Sequence, residues 1–230
     1  MKHFRFFIIL LACSSCEYYE IEEPFLNYGS YAVIGDSISY GKGSVNTTSW
    51  SAILKESLGI VRYQNYSVCG AVASTRDPNS RYSIKAQIES IESNFDLITV
   101  MIGINDCLLG RELVNVEDVI KLPMNEIDYK ESFTHGFVYN MSLLKGKFPD
   151  SQIIVVAPPQ IGYDTKISLN EYIEIEKIVS QRLDLPFIDV SDSDYIPCGD
   201  LICPDQIHPT DKGYKLLAEF IIKQIKSIVP

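Results

Sequence analysis

A serine, a glycine, an asparagine and a histidine stand in four short segments that could together do acyl-transfer chemistry. The segments are Gly35-Asp36-Ser37-Ile38, Asn65-Tyr66-Ser67-Val68-Cys69-Gly70, Gly103-Ile104-Asn105-Asp106 and Asp205-Gln206-Ile207-His208-Pro209. A serine hydroxyl is a weak nucleophile until a neighbouring base accepts its proton, and His208 is the candidate base for Ser37. The imidazole must present one nitrogen to the serine while an acceptor holds its other N–H. Asp205, three residues upstream, can supply that acceptor if the loop turns once, although Asp200 and Asp211 also lie nearby. A tetrahedral oxyanion then needs fixed donors, and the Ser37 and Gly70 backbone N–H groups and the Asn105 side-chain amide are the candidates. Asp36 and Ser37 also have the chemistry to cap a following helix, and Asp106 reads as a structural hydrogen-bond acceptor. Of the other histidines, His3 lies in the leader and His135 within a helical pattern.

These segments need a scaffold that brings them to one place. Apolar, strand-like runs occur at 31–34, 61–68, 96–102, 152–157 and 186–190. The third, DLITVMI, is β-branched and apolar on both faces, the mark of a buried central strand. Helical periodicity occupies 49–58, 83–93, 130–148, 169–183 and 210–228, the last with Leu216, Leu217, Phe220, Ile221 and Ile225 on one face. Alternation of this kind predicts five parallel strands with flanking helices. Ligands bind such open sheets at the carboxyl ends of the strands, where the four segments lie, the fourth after the last strand and directly before the final helix. The glycines at 35, 41 and 43 do not fit a phosphate loop, because the spacing is one residue too long and Lys42 is followed by glycine. A G-x-S-x-G nucleophile elbow is absent.

The four blocks, in this order and at this spread, resemble those of the SGNH (GDSL-type) hydrolase family. GDSI corresponds to the first block with Ile38 in place of the usual leucine, 65–70 to the glycine block, GIND to the asparagine block and DQIHP to the histidine block. The resemblance covers the chain from Tyr31 onward. It implies a three-layer α/β/α fold with a five-stranded, flavodoxin-like parallel sheet in order 2-1-3-4-5. It also implies an esterase or lipase without metal or cofactor, with Ser37 as nucleophile, His208 as base and Asp205, which has the family spacing, as its partner. Ser37, Gly70 and Asn105 would form the oxyanion hole. Cys69 and Cys107 depart from the family pattern beside Gly70 and Asn105, and their oxidation as a pair would distort the hole.

The N-terminus reads as an address. Lys2 and Arg5 precede an apolar stretch at 6–12 that is too short to span a bilayer. Leu10-Leu11-Ala12-Cys13 resembles a bacterial lipoprotein lipobox, which implies a signal peptide over 1–12, lipidation of Cys13 and a polar, acidic tether over 13–27. A single domain then fills 28–230, with 107–129 as a lid insertion. Export permits disulfides, and a small clamp between Cys198 and Cys203 is the candidate. Cys13 and Cys16 form a lone CxxC, and no zinc spacing is present, so no metal is expected.

Composition limits the partners. The 230 residues are 46% hydrophobic and 22% charged, with 13 Gly and 11 Pro, which excludes a disordered, collagenous or coiled-coil chain. A net charge of −10 repels phosphate backbones, so no nucleic acid is expected, and the membrane is approached only through the lipid anchor. The expected protein is an exported, membrane-anchored lipoprotein, periplasmic or at the cell surface, that hydrolyses a small-molecule or glycan ester. O-acetyl esters on carbohydrate are the favoured substrate. A lysophospholipase or short-chain acyl esterase is the alternative, and a glycan-binding lipoprotein that kept the fold without turnover is the rival from another class.

Overall fold

Runs that are apolar on both faces can only be buried between two layers, and here they form the middle of the sheet. The computed structural model describes residues 28–75, 80–130, 132–162 and 164–228. The expected signal peptide, the lipidated Cys13 and the tether lie outside the described residues. In chain order the elements are β1 (Ser30–Gly35), α1 (Ser37–Tyr40), α2 (Trp50–Ser57), β2 (Arg62–Asn65), α3 (Ile84–Ser90), β3 (Leu97–Met101), α4 (Ile104–Leu108) and α5 (Val116–Val119). They continue with α6 (Phe133–Lys147), β4 (Gln152–Val156), α7 (Leu169–Arg182), β5 (Phe187–Ile188) and α8 (Asp211–Ile228). Short 3-10 turns occupy Met124–Glu126, Val190–Asp192 and Gly199–Leu201.

All strand pairings are parallel, and the sheet order is β2-β1-β3-β4-β5, as the family resemblance implies. Every residue of β1 and β3 is buried, whereas β2, at the edge, alternates between exposed and half-buried. The apolar face of α8, with Leu217, Ile221 and Ile225, packs with α2 on one side of the sheet. On the other side α6 packs against both α3 and α7. The result is the three-layer α/β/α arrangement. Because every strand runs the same way, Gly35, Met101 and Val156 end at one edge, and the loops that follow them share it.

Two expectations about connections need correction. The cysteines at 69, 107, 198 and 203 are all free thiols, so the clamp between Cys198 and Cys203 is not formed. The 3-10 turn between them and the bridge of Ile202 to Pro209 carry Cys203 inward. There its sulfur faces the carbonyls of Gly43 and Pro209 at 3.5 and 3.8 Å, while Cys198 stays exposed. Residues 107–129, expected as a lid, form a strap on the helix layer. Val116, Val119 and Ile127 are buried, and α5 packs on α6 and α7. Tyr172 donates to the Arg111 carbonyl, Thr134 Oγ1 to that of Val114 at 3.0 Å, and Arg182 pairs with Glu117 at 2.6 Å. Among the described residues, none of the hydrogen bonds or ion pairs of 110–129 reaches Ser37, Gly70 or His208.

Candidate active site

Ser37 leaves the sheet at the turn from β1 into α1. Asp36 caps that helix, its Oδ1 accepting from the Ile38 N–H at 2.9 Å, so the capping expectation holds beside any catalytic one. The turn is also gripped from behind. Gln87 on α3, which is buried, accepts from the Gly35 N–H and donates to the Gly35 carbonyl, each at 2.9 Å. This two-point clamp fixes the peptide immediately before Asp36-Ser37. Reading the sequence did not single out Gln87, although it lies on the helical stripe Ile84, Gln87, Ile88 and Ile91 of buried residues.

His208 reaches Ser37 from the far end of the chain. Its Nε2 lies 2.8 Å from Ser37 Oγ, and its Nδ1 lies 2.7 Å from Asp205 Oδ2. Both Ser37 and His208 are buried. The loop that carries Asp205 and His208 is tightly turned. Gln206 adopts φ 57°, in the left-handed region, which lets Asp205 fold back on the residues that follow it. Asp205 Oδ1 then accepts from the Ile207 and His208 N–H groups at 3.0 and 3.1 Å. Cys203 N–H donates to the His208 carbonyl at 2.8 Å, closing the loop. The segment after α1 packs directly against it. Gly43, at φ 101°, leaves no room for a side chain, since a Cβ there would lie 2.6 Å from the Pro209 carbonyl oxygen and 3.0 Å from His208 Cβ. Tyr214 of α8 donates to the Lys42 carbonyl at 2.7 Å. Close packing and several hydrogen bonds thus join the two ends of the chain at the site.

Charge around the pair is ordered. Burial pushes the Asp205 carboxyl upward, but the imidazole N–H and two backbone N–H groups together hold it below its usual range. It therefore stays an anion beside His208, suited to hold an N–H on Nδ1 and leave Nε2 free to accept from Ser37. Asp200 and Asp211 do not compete: Asp200 pairs with Lys212, and Asp211 accepts from the Val45 N–H at 3.1 Å.

The three expected oxyanion donors come to the same edge. Asn105, in the first turn of α4, donates to the Ala71 carbonyl at 2.9 Å, and its contact with Asp36 Oδ2 is only 3.5 Å. One of its two N–H groups is thus anchored and the other is weakly engaged. Gly70 sits at φ 83° in an exposed turn. Neither its N–H nor that of Ser37 donates to a protein acceptor among the described residues. Asp106 takes the structural role: buried, it accepts from the Ala73 and Ser74 N–H groups and from Ser74 Oγ at 2.8, 3.1 and 3.1 Å. It thereby ties the asparagine block to the chain just after Gly70. Cys107 turns away from Cys69, its thiol 3.2 Å from Thr165 Oγ1 and 3.3 Å from the Ile167 carbonyl.

Behind the nucleophile lie three buried carboxyl groups. Burial raises Asp36 to about 7, with Asp106 adding to the rise, and raises Asp106 to about 6. Glu176 of α7 is pushed well above its usual range by burial and then by Asp106 and Asp36. Its two carboxyl oxygens have no partner among the described residues, and Oε1 stands 2.7 Å from where a Cβ on Gly103 would be. A charged carboxylate without donors is untenable there, so Glu176 is held as the neutral acid.

Comparison with known proteins gives the family and the fold. The family model for GDSL-like lipases and acylhydrolases matches residues 33–216. No curated protein matches the chain in sequence. Among solved structures, a Lactobacillus plantarum protein is similar at TM-score 0.70 and 17% identity, over 87% of this chain and 97% of its own. A possible lipase from Chitinophaga pinensis gives 0.67 and 16%, over 86% and 98%. A family two carbohydrate esterase from Clostridium thermocellum, in complex with cellohexaose, gives 0.60 and 14%, over 86% of this chain and 64% of its own.

Proposed function

This chain belongs to the GDSL-like lipase/acylhydrolase family and is a carboxylic ester hydrolase; from that premise we propose that it removes acetyl groups from carbohydrate esters through an acyl-enzyme on Ser37. The observation that carries the mechanism is the continuous chain from Ser37 Oγ through His208 to Asp205, with links of 2.8 and 2.7 Å. Ser37 Oγ attacks the ester carbonyl as its proton passes to His208 Nε2, and Asp205 stabilises the imidazolium that forms. The oxyanion is met by the Ser37 and Gly70 N–H groups and by Asn105 Nδ2. Collapse breaks the ester C–O bond, and the proton on Nε2 goes to the departing alcohol. Water then attacks the acyl-enzyme with His208 again as base, which releases the acid and restores Ser37.

Carbohydrate as the alcohol is supported by the fold shared with the carbohydrate esterase and by the polar character of the clefts at this edge of the sheet. The basic and apolar leader over 1–12, directly before Cys13, supports an exported, lipid-anchored enzyme. Acetate release from acetylated oligosaccharides, set against a series of p-nitrophenyl esters of rising chain length, tests the substrate. Acetyl is expected to be the best acyl group. A clear preference for long acyl chains would point to a lipase or lysophospholipase instead.

A further inference from the structure

We propose that the cleft between the β4–α7 loop and Pro197, whose Gly162 wall is bonded to the histidine loop, is the subsite for the leaving alcohol, and that it takes a neutral, hydroxyl-rich saccharide. This rests on the esterase reading above. The cleft encloses about 480 Å³ and is walled by Gln160, Asp164, Thr165, Ser168, Leu169 and Pro197. None of these residues belongs to the four blocks.

Its position follows from the bonds that hold its walls. Gly162 N–H donates to the Gln206 carbonyl at 2.8 Å, one residue from Asp205 and two from His208. On the opposite side Thr165 Oγ1 meets the Cys107 thiol, two residues beyond Asn105. One wall of the cleft is therefore bonded to the loop that carries the imidazole. The alcohol must also depart on that side, because the proton it receives comes from His208 Nε2. The acyl group and its oxyanion lie toward Gly70 and Asn105.

The chemistry of the wall selects the ligand class. An amide, a carboxylate and two hydroxyls can exchange hydrogen bonds with sugar hydroxyls, and Leu169 and Pro197 offer apolar surface for the C–H face of a ring. Among its described residues the cleft has one carboxylate and no basic side chain. An anionic alcohol such as a glycerophosphate is repelled by that wall in a chain whose net charge is −10. A second cleft of about 470 Å³ shares Gln160 and carries Asn170, Glu174 and Asp189, so the polar surface continues beyond one sugar unit.

The test compares kcat/KM for an acetylated xylo-oligosaccharide with kcat/KM for p-nitrophenyl acetate, whose aryl leaving group has no hydroxyls to offer. In Asp164→Lys and Gln160→Ala the ratio of the two constants is expected to fall about fivefold or more, through KM for the saccharide. Glu219→Lys, an equal charge reversal on the exposed side of α8, is expected to leave the ratio at the wild-type value. A ratio indifferent to both cleft substitutions overturns the subsite while leaving the esterase standing. So does a wild-type enzyme that cleaves p-nitrophenyl acetate but no acetylated saccharide. A wild-type enzyme that cleaves neither overturns both.

Discussion

Replacing Asp205 by asparagine separates the electrostatic part of the triad from its architecture. The carboxylate makes three bonds: Oδ1 to the Ile207 and His208 N–H groups at 3.0 and 3.1 Å, and Oδ2 to His208 Nδ1 at 2.7 Å. Two backbone donors require an oxygen on their side, so the new amide must turn its NH2 toward the imidazole. Nδ1 can then no longer keep its proton there, the proton moves to Nε2, and the base facing Ser37 becomes a donor. Loss of one charge-assisted bond alone is about 1.5–3 kcal/mol, or roughly 10–150-fold in rate. The same substitution in serine proteases lowers kcat by about 10⁴. The Asp205 side chain is 43% exposed, so water already competes for this bond, and we expect a fall of about 10²–10³ in kcat. Asp205→Ala is expected to lose less kcat, about 10–10², because water can accept the Nδ1 proton. It should nonetheless melt lower than Asp205→Asn, having lost both backbone bonds. Turnover of p-nitrophenyl acetate and thermal melting measure the two effects. An asparagine variant within threefold of wild type, or one that melts below the alanine variant, would refute the reasoning.

Other substitutions probe the surroundings. Asn105→Ala removes a donor to the oxyanion and is expected to lower kcat by about 10²–10³, with KM little changed; an unaltered kcat would remove Asn105 from the hole. Gly43→Ala forces a Cβ against the Pro209 carbonyl at a positive φ. It is expected to destabilise the fold by about 1–3 kcal/mol in denaturant melts and to lower turnover by displacing His208; wild-type stability would count against that packing. Glu176→Gln tests the buried neutral acid by pH. Because the folded-state pKa is raised, the stability linked to Glu176 is complete below the ordinary glutamate range and is lost as pH rises toward the folded value. The variant should therefore gain on wild type as melts move from acid to alkaline pH, and parallel profiles would show Glu176 to be charged or solvated.

Much of this molecule was legible because its chemistry sits where the apolar pattern breaks. The β-branched runs at 31–34 and 96–102 could be satisfied only as central strands, and the polar residues directly after them had to face the edge of the sheet. The edge strand was harder to bound. Val61 reads as strand but is exposed, and pairing begins at Arg62. Gln87 and Glu176 went unread because a polar residue in a helix is ordinarily assigned to the solvent face. Both occupy buried, mostly apolar stripes, Glu176 among Leu169, Tyr172, Ile173, Val179 and Ser180, and that spacing was the available signal. Spacing misled at Cys198 and Cys203: five positions along the chain suggest proximity, but a 3-10 turn and a strand-like bridge point the sulfurs apart. The strap at 107–129 looked like a lid because its length was visible and the helices its valines would cover were not.

The most direct measurement is the site of acylation. Enzyme mixed with an acetyl ester and quenched in acid within a turnover, then digested and analysed by mass spectrometry, should carry one acetyl group on the peptide containing Ser37. Ser37→Ala should carry none. Acetyl found on another residue, or equal acetylation of Ser37→Ala, would contradict the assignment of Ser37 as nucleophile.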